Sequence, residues 1–365
     1  MPRKVLWDCA PRTKAKLAIV NAYLGAWFSI LARKGFRHVI YVDGFCGPGE
    51  YMTGEEGSPV IAVRMANATA ERFPGFKATL ILVDEKKAAL DHLESLSPIK
   101  KPHPNVQIIV MQGEFADKVD EVVTYLKAHP SSPTFSFVDP FGFGQSPFEK
   151  FKQLMHNENS EIFVNLMCGF MNRFKEHPDP QVAAKIKEIL GIDDLSAIIA
   201  AADPIDAVCE SFETSLRGIG RFTLKFMMRD DKNIRDNAFF FCGRNSKGFE
   251  KIKEAMWRVD PEGGNSFSAH REAKDQQFGT LFEAGAQTSR LGPLISRHFK
   301  GRKDVPVSEI FTWVTDCTDV YLDKHARPEL EQLLSSGKIS YKDPNGPTRK
   351  RPTNAWPERL LVSFI

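Results

Sequence analysis

Val39-Ile40-Tyr41-Val42-Asp43-Gly44-Phe45-Cys46-Gly47-Pro48-Gly49 is the stretch on which the reading of this chain turns. Four apolar residues closed by an acid and a glycine read as a short buried strand. Upstream, residues 14–34 read as an amphipathic helix, with Leu17, Val20, Leu24, Trp27 or Phe28, and Leu31 at three- and four-residue spacing, stopped by Gly35. Downstream the same strand signal returns as Ala78-Thr79-Leu80-Ile81-Leu82-Val83, Val106-Gln107-Ile108-Ile109-Val110 and Phe135-Ser136-Phe137-Val138, each followed by a polar or glycine residue. Helical patterns at 59–72, 86–95 and 115–128 lie between them. A fifth run, Glu161-Ile162-Phe163-Val164-Asn165-Leu166, follows a helical stretch at 148–155. Strand alternating with helix predicts an α/β domain with a parallel sheet covered on both faces. Right-handed connections then gather active groups at the carboxyl ends of the strands.

Beyond the fifth run the pattern is helical, read as an insertion at about 175–220. Runs at 222–228 and 237–242 predict a strand pair that rejoins the sheet, followed by a helix at 247–258. Asp260-Pro261-Glu262-Gly263-Gly264-Asn265 is a turn-rich break. Helices are expected at 291–299, 307–314 and 328–336, with strands at 337–341 and 359–364. Three helices followed by a two-stranded wing form a winged helix-turn-helix pattern. The expected domains are therefore 1–260, a linker at 261–289, and 290–365.

Composition narrows the class. At 365 residues the chain exceeds one typical core, and its 42% apolar and 26% charged content suit a soluble globular protein. No run of about 18 apolar residues and no signal-peptide stretch is seen, so a cytoplasmic location is expected. The six cysteines are scattered without metal spacing, and no paired histidine motif occurs, so free thiols and no metal site are expected. The net charge of +3 is weak evidence of any partner, although the small basic excess lies in the last fifth of the chain.

The four strand ends carry the chemistry. Gly44, Gly47 and Gly49 after Asp43 let the backbone turn tightly and approach a ligand. A dinucleotide loop would run straight into its helix, whereas Pro48 and a ten-residue excursion intervene here. Ser58-Pro59 then reads as N-cap and first-turn proline. An acid beside a glycine loop suits a cationic, phosphate-free cofactor with a sulfonium centre and an amino-acid moiety. Asp84 reads either as an acceptor for ribose hydroxyls or as a helix N-cap. Glu114 and Phe115 read either as contacts to an adenine or as part of a capping box. Asp139-Pro140-Phe141-Gly142 forms a shelf of acid, proline and aromatic, with a glycine-rich turn as the plain alternative. Cys46 reads as a small loop residue rather than a nucleophile, and Cys168 as packing. Asn165, Asn172 and Arg173 border a pocket, or Arg173 serves an ion pair. Arg349-Lys350-Arg351 in the wing either contacts phosphates or is an ordinary charged hairpin loop.

Asp43 to Gly49 looks like the first motif of Rossmann-type methyltransferases, and Asp139-Pro140-Phe141-Gly142 resembles their fourth. More specifically, the chain resembles the three-Cys-motif partner protein (TcmP) family. The resemblance is carried by Tyr23-Leu24-Gly25-Ala26-Trp27, residues 41–51, Gly57-Ser58-Pro59, and residues 137–144, 165–174, 239–257 and 315–339. It implies a Rossmann-like methyltransferase domain with a helical insertion, plus a C-terminal winged helix-turn-helix domain. It also implies S-adenosylmethionine as cofactor and a three-Cys-motif protein as partner. Asp43, Gly44, Phe45, Gly47, Gly49, Asp84, Glu114 and Phe115 would hold the cofactor, and Asp139, Pro140 and Phe141 the methyl acceptor. Nucleic acid, or a base amino group within it, is the expected substrate, with Arg349, Lys350 and Arg351 on the phosphates. The fourth motif departs from Asp-Pro-Pro-Tyr in its last two residues, which keeps open a silent, cofactor-sensing accessory subunit. A phosphate-binding enzyme is disfavoured, since no lysine follows the glycines.

Overall fold

The computed structural model describes residues 5–140, 142, 146–269, 290–345 and 355–365. They divide into two compact units, 1–255 with 266–280, and 256–265 with 281–365. The division thus falls five residues before the expected boundary at 260, because Trp257 packs with the core of the second unit.

The first unit opens with helix α1 (Pro11–Arg33), started by Pro11 in the first turn rather than at residue 14. It is followed by β1 (His38–Asp43), α2 (Ser58–Arg72), β2 (Lys77–Asp84), α3 (Lys87–Ser95), α4 (Ser97–Lys100), β3 (Val106–Gln112) and α5 (Phe115–Ala128). Next come β4 (Thr134–Val138), α6 (Phe148–Leu154), β5 (Ser160–Leu166) and α7 (Cys168–Phe174). The expected helical insertion comprises α8 (Pro180–Leu190), α9 (Ser196–Ile199) and α10 (Pro204–Arg217). Strands β6 (Phe222–Arg229) and β7 (Arg235–Gly243), helix α11 (Ser246–Val259) and β8 (Ser266–Ser268) complete the series.

The sheet runs β3-β2-β1-β4-β5-β7-β6-β8. Strands β1 to β5 pair in parallel, and β7 enters antiparallel between β5 and β6. Strands β1, β4 and β5 are buried along nearly their whole length, which explains their unbroken apolar runs. Helix α1 is long and apolar enough to cross a membrane. Its apolar stripe, from Leu17 through Tyr23, Trp27 and Phe28, is instead buried within the protein. The insertion is held by Phe212 of α10, whose ring meets Phe148, Phe151 and Phe240 at 5.0–6.0 Å between centroids. Phe212→Ala is expected to cost about 3–5 kcal/mol in urea unfolding; a loss below about 1 kcal/mol would show that the insertion does not share this core.

One acid is built into the core. Glu161 of β5 is 4% exposed, and its Oε2 accepts the Tyr23 hydroxyl at 2.6 Å. Burial raises its pKa to about 7, against the smaller lowering effects of hydrogen bonds from Tyr23 and Trp27. The folded state therefore holds this proton more tightly than the unfolded chain. The group costs nothing below the ordinary carboxylate range and costs progressively more as pH rises through about 7. Glu161→Gln is expected to unfold at higher urea than the natural protein at pH 8, by about 2–3 kcal/mol, with no such gain at pH 4.5. A pH-independent difference would contradict the assignment.

The second unit holds α12 (Leu291–His298), β9 (Val305–Pro306), α13 (Val307–Cys317), α14 (Asp323–Ser335), β10 (Ile339–Lys342) and β11 (Leu361–Phe364). Its sheet is three-stranded, β10-β11-β9, with antiparallel pairs, rather than a two-stranded wing. The two residues of β9 were too few to register as a strand in sequence. Helix α14 begins at Asp323 and not at Pro328. His325 Nδ1 accepts the Leu322 backbone N–H at 3.1 Å and ties the first turn, so Pro328 falls inside the helix. The core of this unit gathers Leu291, Ile295, Phe299, Ile310, Leu330 and Trp356.

Candidate functional site

The carboxyl ends of β1, β2 and β4 lie side by side and carry Asp43, Asp84 and Asp139, all buried. Asp43 Oδ2 accepts the Tyr41 hydroxyl at 2.9 Å, and Oδ1 accepts the Phe45 N–H at 3.3 Å. The Ser58 hydroxyl adds another hydrogen bond. Ser58 is thus not the N-cap of α2. Gly57 occupies that position without a side-chain cap, and Ser58 turns to the acid instead. Burial raises the Asp43 pKa to about 6; the hydrogen bonds work against this rise and nearby Asp139 adds to it.

Asp84 binds the glycine loop. Its Oδ2 accepts the Gly47 N–H at 2.9 Å and its Oδ1 the Lys86 N–H at 2.8 Å. The loop is also stitched by Cys46 N–H to Val83 O at 2.9 Å and Gly57 N–H to Gly49 O at 2.7 Å. Gly47 and Gly49 have φ of 61° and 86°, conformations that a side chain resists. Burial pushes the Cys46 thiol well up, which disfavours a thiolate there. Phe115 is 2% exposed and packs on Gly44 so tightly that a Cβ there would lie 2.8 Å from its ring. Its ring stands 5.5 Å from that of Phe45. Glu114 is exposed at the start of α5 and makes no side-chain cap.

Asp139 is engaged on both oxygens. Asn165 of β5 donates to Oδ1 at 2.8 Å, and the ammonium of Lys16, from α1, donates to Oδ2. The Lys16 side chain is 12% exposed. Burial lowers its pKa, but Asp139, Tyr51 and Asp43 outweigh this and leave it raised. A cation therefore stands at the carboxyl ends of β1 and β4, held by acids from both. Lys16, Tyr51 and Trp7 line the cleft beside the glycine loop together with Ser58 and Asp139. The sequence reading missed Lys16. Its one signal is a lysine next to Ala15 and Leu17 on the buried stripe of α1.

Pro140 borders a second, apolar hollow with Ser146, Asn165, Met167 and Met171. Asn165 Oδ1 and Ser146 Oγ are buried there without a hydrogen-bond partner. Phe141 lies outside the described residues, as do Arg349, Lys350 and Arg351. Asn172 and Arg173 fall on α7, directly after β5.

No protein-family model and no curated protein matches the chain. Among solved structures it is similar to the Legionella pneumophila protein LPL1258, at 12% identity over 65% of this chain and 88% of that one, with a TM-score of 0.39. It is also similar to an O-methyltransferase from Bacillus cereus in complex with SAH, at 13% identity over 65% and 83%, TM-score 0.36. A spermidine synthase in complex with the transition-state analogue AdoDATO shares 10% identity over 72% and 75%, TM-score 0.34. The sheet order β3-β2-β1-β4-β5-β7-β6, with β7 alone reversed among these strands, gives the first unit a Rossmann-like α/β fold.

Proposed function

We propose that the chain is an S-adenosylmethionine-dependent methyltransferase acting on nucleic acid, at a base amino group, together with a three-Cys-motif partner protein. The observation that carries this reading is the set of buried acids, Asp43, Asp84 and Asp139, at three adjacent strand ends around a loop of left-handed glycines. The donor set fits the cofactor chemically. Asp43 and Asp139 already face a cation, Lys16, as a sulfonium would require. Asp43, Gly44, Phe45, Gly47, Gly49 and Asp84 would hold the cofactor, with Glu114 and Phe115 at the neighbouring strand end. When bound, the cofactor supplies an electrophilic methyl group. That methyl would pass to the acceptor nitrogen, whose proton would go to solvent. What this chain's residues contribute is position and electrostatics. Because Lys16 and Asn165 occupy Asp139, the Pro140 carbonyl orients the amine, and Asp139 acts by fixing Lys16 and Asn165. Phe141 is assigned to stack on the base.

Support for nucleic acid comes from the second unit. Its three helices and small antiparallel sheet suit a winged helix, and Arg349, Lys350 and Arg351 fall between β10 and β11 in the sequence. A cytoplasmic location accords with this reading. A cofactor-sensing accessory subunit is the second reading, favoured by the engagement of both Asp139 oxygens. Calorimetry with S-adenosylmethionine, S-adenosylhomocysteine and ATP tests both. Binding of the two sulfur compounds and not ATP is expected, and binding of neither defeats both readings. Transfer of a labelled methyl group to RNA or DNA, with and without the partner, then separates enzyme from sensor.

A further inference from the structure

The largest cavity among those described, about 350 Å3, opens at the opposite edge of the sheet, where β4 and β5 begin. Its size falls within the range of small-molecule sites, about 300–1,000 Å3. Its walls come from the second half of α1, from Pro133 and Asn159 ahead of β4 and β5, and from the first turns of α11. The cavity is chemically polarised. Glu161 is buried at its floor between the Tyr23 and Trp27 side chains. Lys34 is exposed at its rim, with Lys247 and Lys251 nearby. No ion pair joins Glu161 to any of these lysines among the described residues. Lys247 and Lys251 are steadied by Glu250 instead, at 2.7 and 3.0 Å.

Room has been kept for the acid. A Cβ at Gly248 would stand 1.9 Å from Glu161 Oε1, so only glycine lets the first turn of α11 pack this closely on the acid. A carboxylate offers about four lone-pair sites. Tyr23 and Trp27 take two of them. Glu161 lines the cavity together with the Trp27 side chain, Asn159 and Asn245.

A ligand for this cavity presents adjacent N–H donors on a flat ring at its inner end and negative charge at its outer end. Among nucleobases, guanine carries two neighbouring donors, N1–H and the N2 amino group, which match an ionised carboxylate. Adenine and cytosine set an acceptor beside their amino group, which would oppose the same oxygens. We propose that this cavity is a guanine-nucleotide site, with the base on Glu161 and Trp27 and the phosphate on Lys34, Lys247 and Lys251. The site is separate from the cofactor cleft and does not depend on the methyl-transfer reading.

Calorimetric titration of the full chain with GMP, guanosine and AMP at pH 8 tests it. Saturable one-to-one GMP binding is expected, with AMP at least about 10-fold weaker, since a charge-assisted donor pair is at stake. Glu161→Gln keeps the side-chain shape and is expected to weaken GMP by about 10-fold or more. Lys34→Ala, an exposed change that leaves folding untouched, is expected to weaken GMP several-fold and guanosine not at all. Absence of saturable GMP binding to the natural chain overturns the proposal. So does equal affinity for AMP, or unchanged GMP affinity in a folded Glu161→Gln protein. If Glu161→Gln does not fold, the Lys34→Ala contrast between GMP and guanosine decides.

Discussion

Asp139→Ala is expected to cut methyl transfer by about a hundred- to a thousandfold and to destabilise the protein by about 3–5 kcal/mol. The two losses share one cause. The Lys16 side chain is 12% exposed and its ammonium is partnered by Asp139. Removing the carboxylate leaves a nearly buried positive charge, and Asn165 loses the oxygen that orients its amide. The stability loss is therefore mainly the cost of stranding Lys16. Lys16→Met combined with Asp139→Ala is expected to recover about 2 kcal/mol relative to the sum of the single changes. Urea unfolding of the four proteins measures this coupling, and additivity within about 0.5 kcal/mol would mean that the pair is not a unit. Activity does not return in the double variant, because the geometry around Asn165 and Pro140 is lost with Asp139. An Asp139→Ala protein that still transferred methyl at full rate would refute the assigned site.

The glycine loop gives the second large effect. At Gly49 the backbone has φ of 86°, and a Cβ would lie 2.6 Å from Leu93 Cδ1 and 2.9 Å from Leu96 Cδ1. Gly49→Ala therefore suffers backbone strain of about 1–2 kcal/mol and overpacking of about 1–3 kcal/mol. Gly54 supplies the control. Its φ is 87°, yet nothing lies within 4 Å of a Cβ built there. Gly54→Ala should show the strain alone, so the difference between the two isolates the packing. Because Gly49 O accepts the Gly57 N–H at the start of α2, Gly49→Ala should also weaken S-adenosylmethionine by about 10-fold or more, with Gly54→Ala neutral. Equal effects at both positions would mean that the loop tolerates displacement.

What could be read from sequence was what burial writes into it. Strands covered on both faces leave continuous apolar runs, so β1, β2, β4 and β5 were visible, as were the acids and glycines at their ends. Less legible were features that depend on distant residues. Lys16 meets Asp139 across 123 positions, and no local pattern records that meeting. Ser58 has the sequence signature of an N-cap, but the buried acid on β1 draws its hydroxyl away. Strand β8 spans Ser266–Ser268 and pairs with β6 at the sheet edge, where three residues leave no periodicity. Helix α7 follows directly on β5 and was hidden behind the strand signal. Pro328 misled by its residue type, since the helix it seemed to start had begun five residues earlier.

The insertion of β7 between β5 and β6 has a consequence for the order of assembly. During synthesis β6 emerges before the strand that joins it to the sheet, so β5 presents an open edge until residues up to Gly243 have been made. The parallel half, β3-β2-β1-β4-β5, has by then all its own partners. Strands β6 and β7 are joined by a short connection, from Arg229 to Arg235, and form a local hairpin. The hairpin then docks on β5 as one unit, a late, non-local step of the kind that sets folding rates. The helical insertion, Pro180–Arg217, is made before either strand of that hairpin.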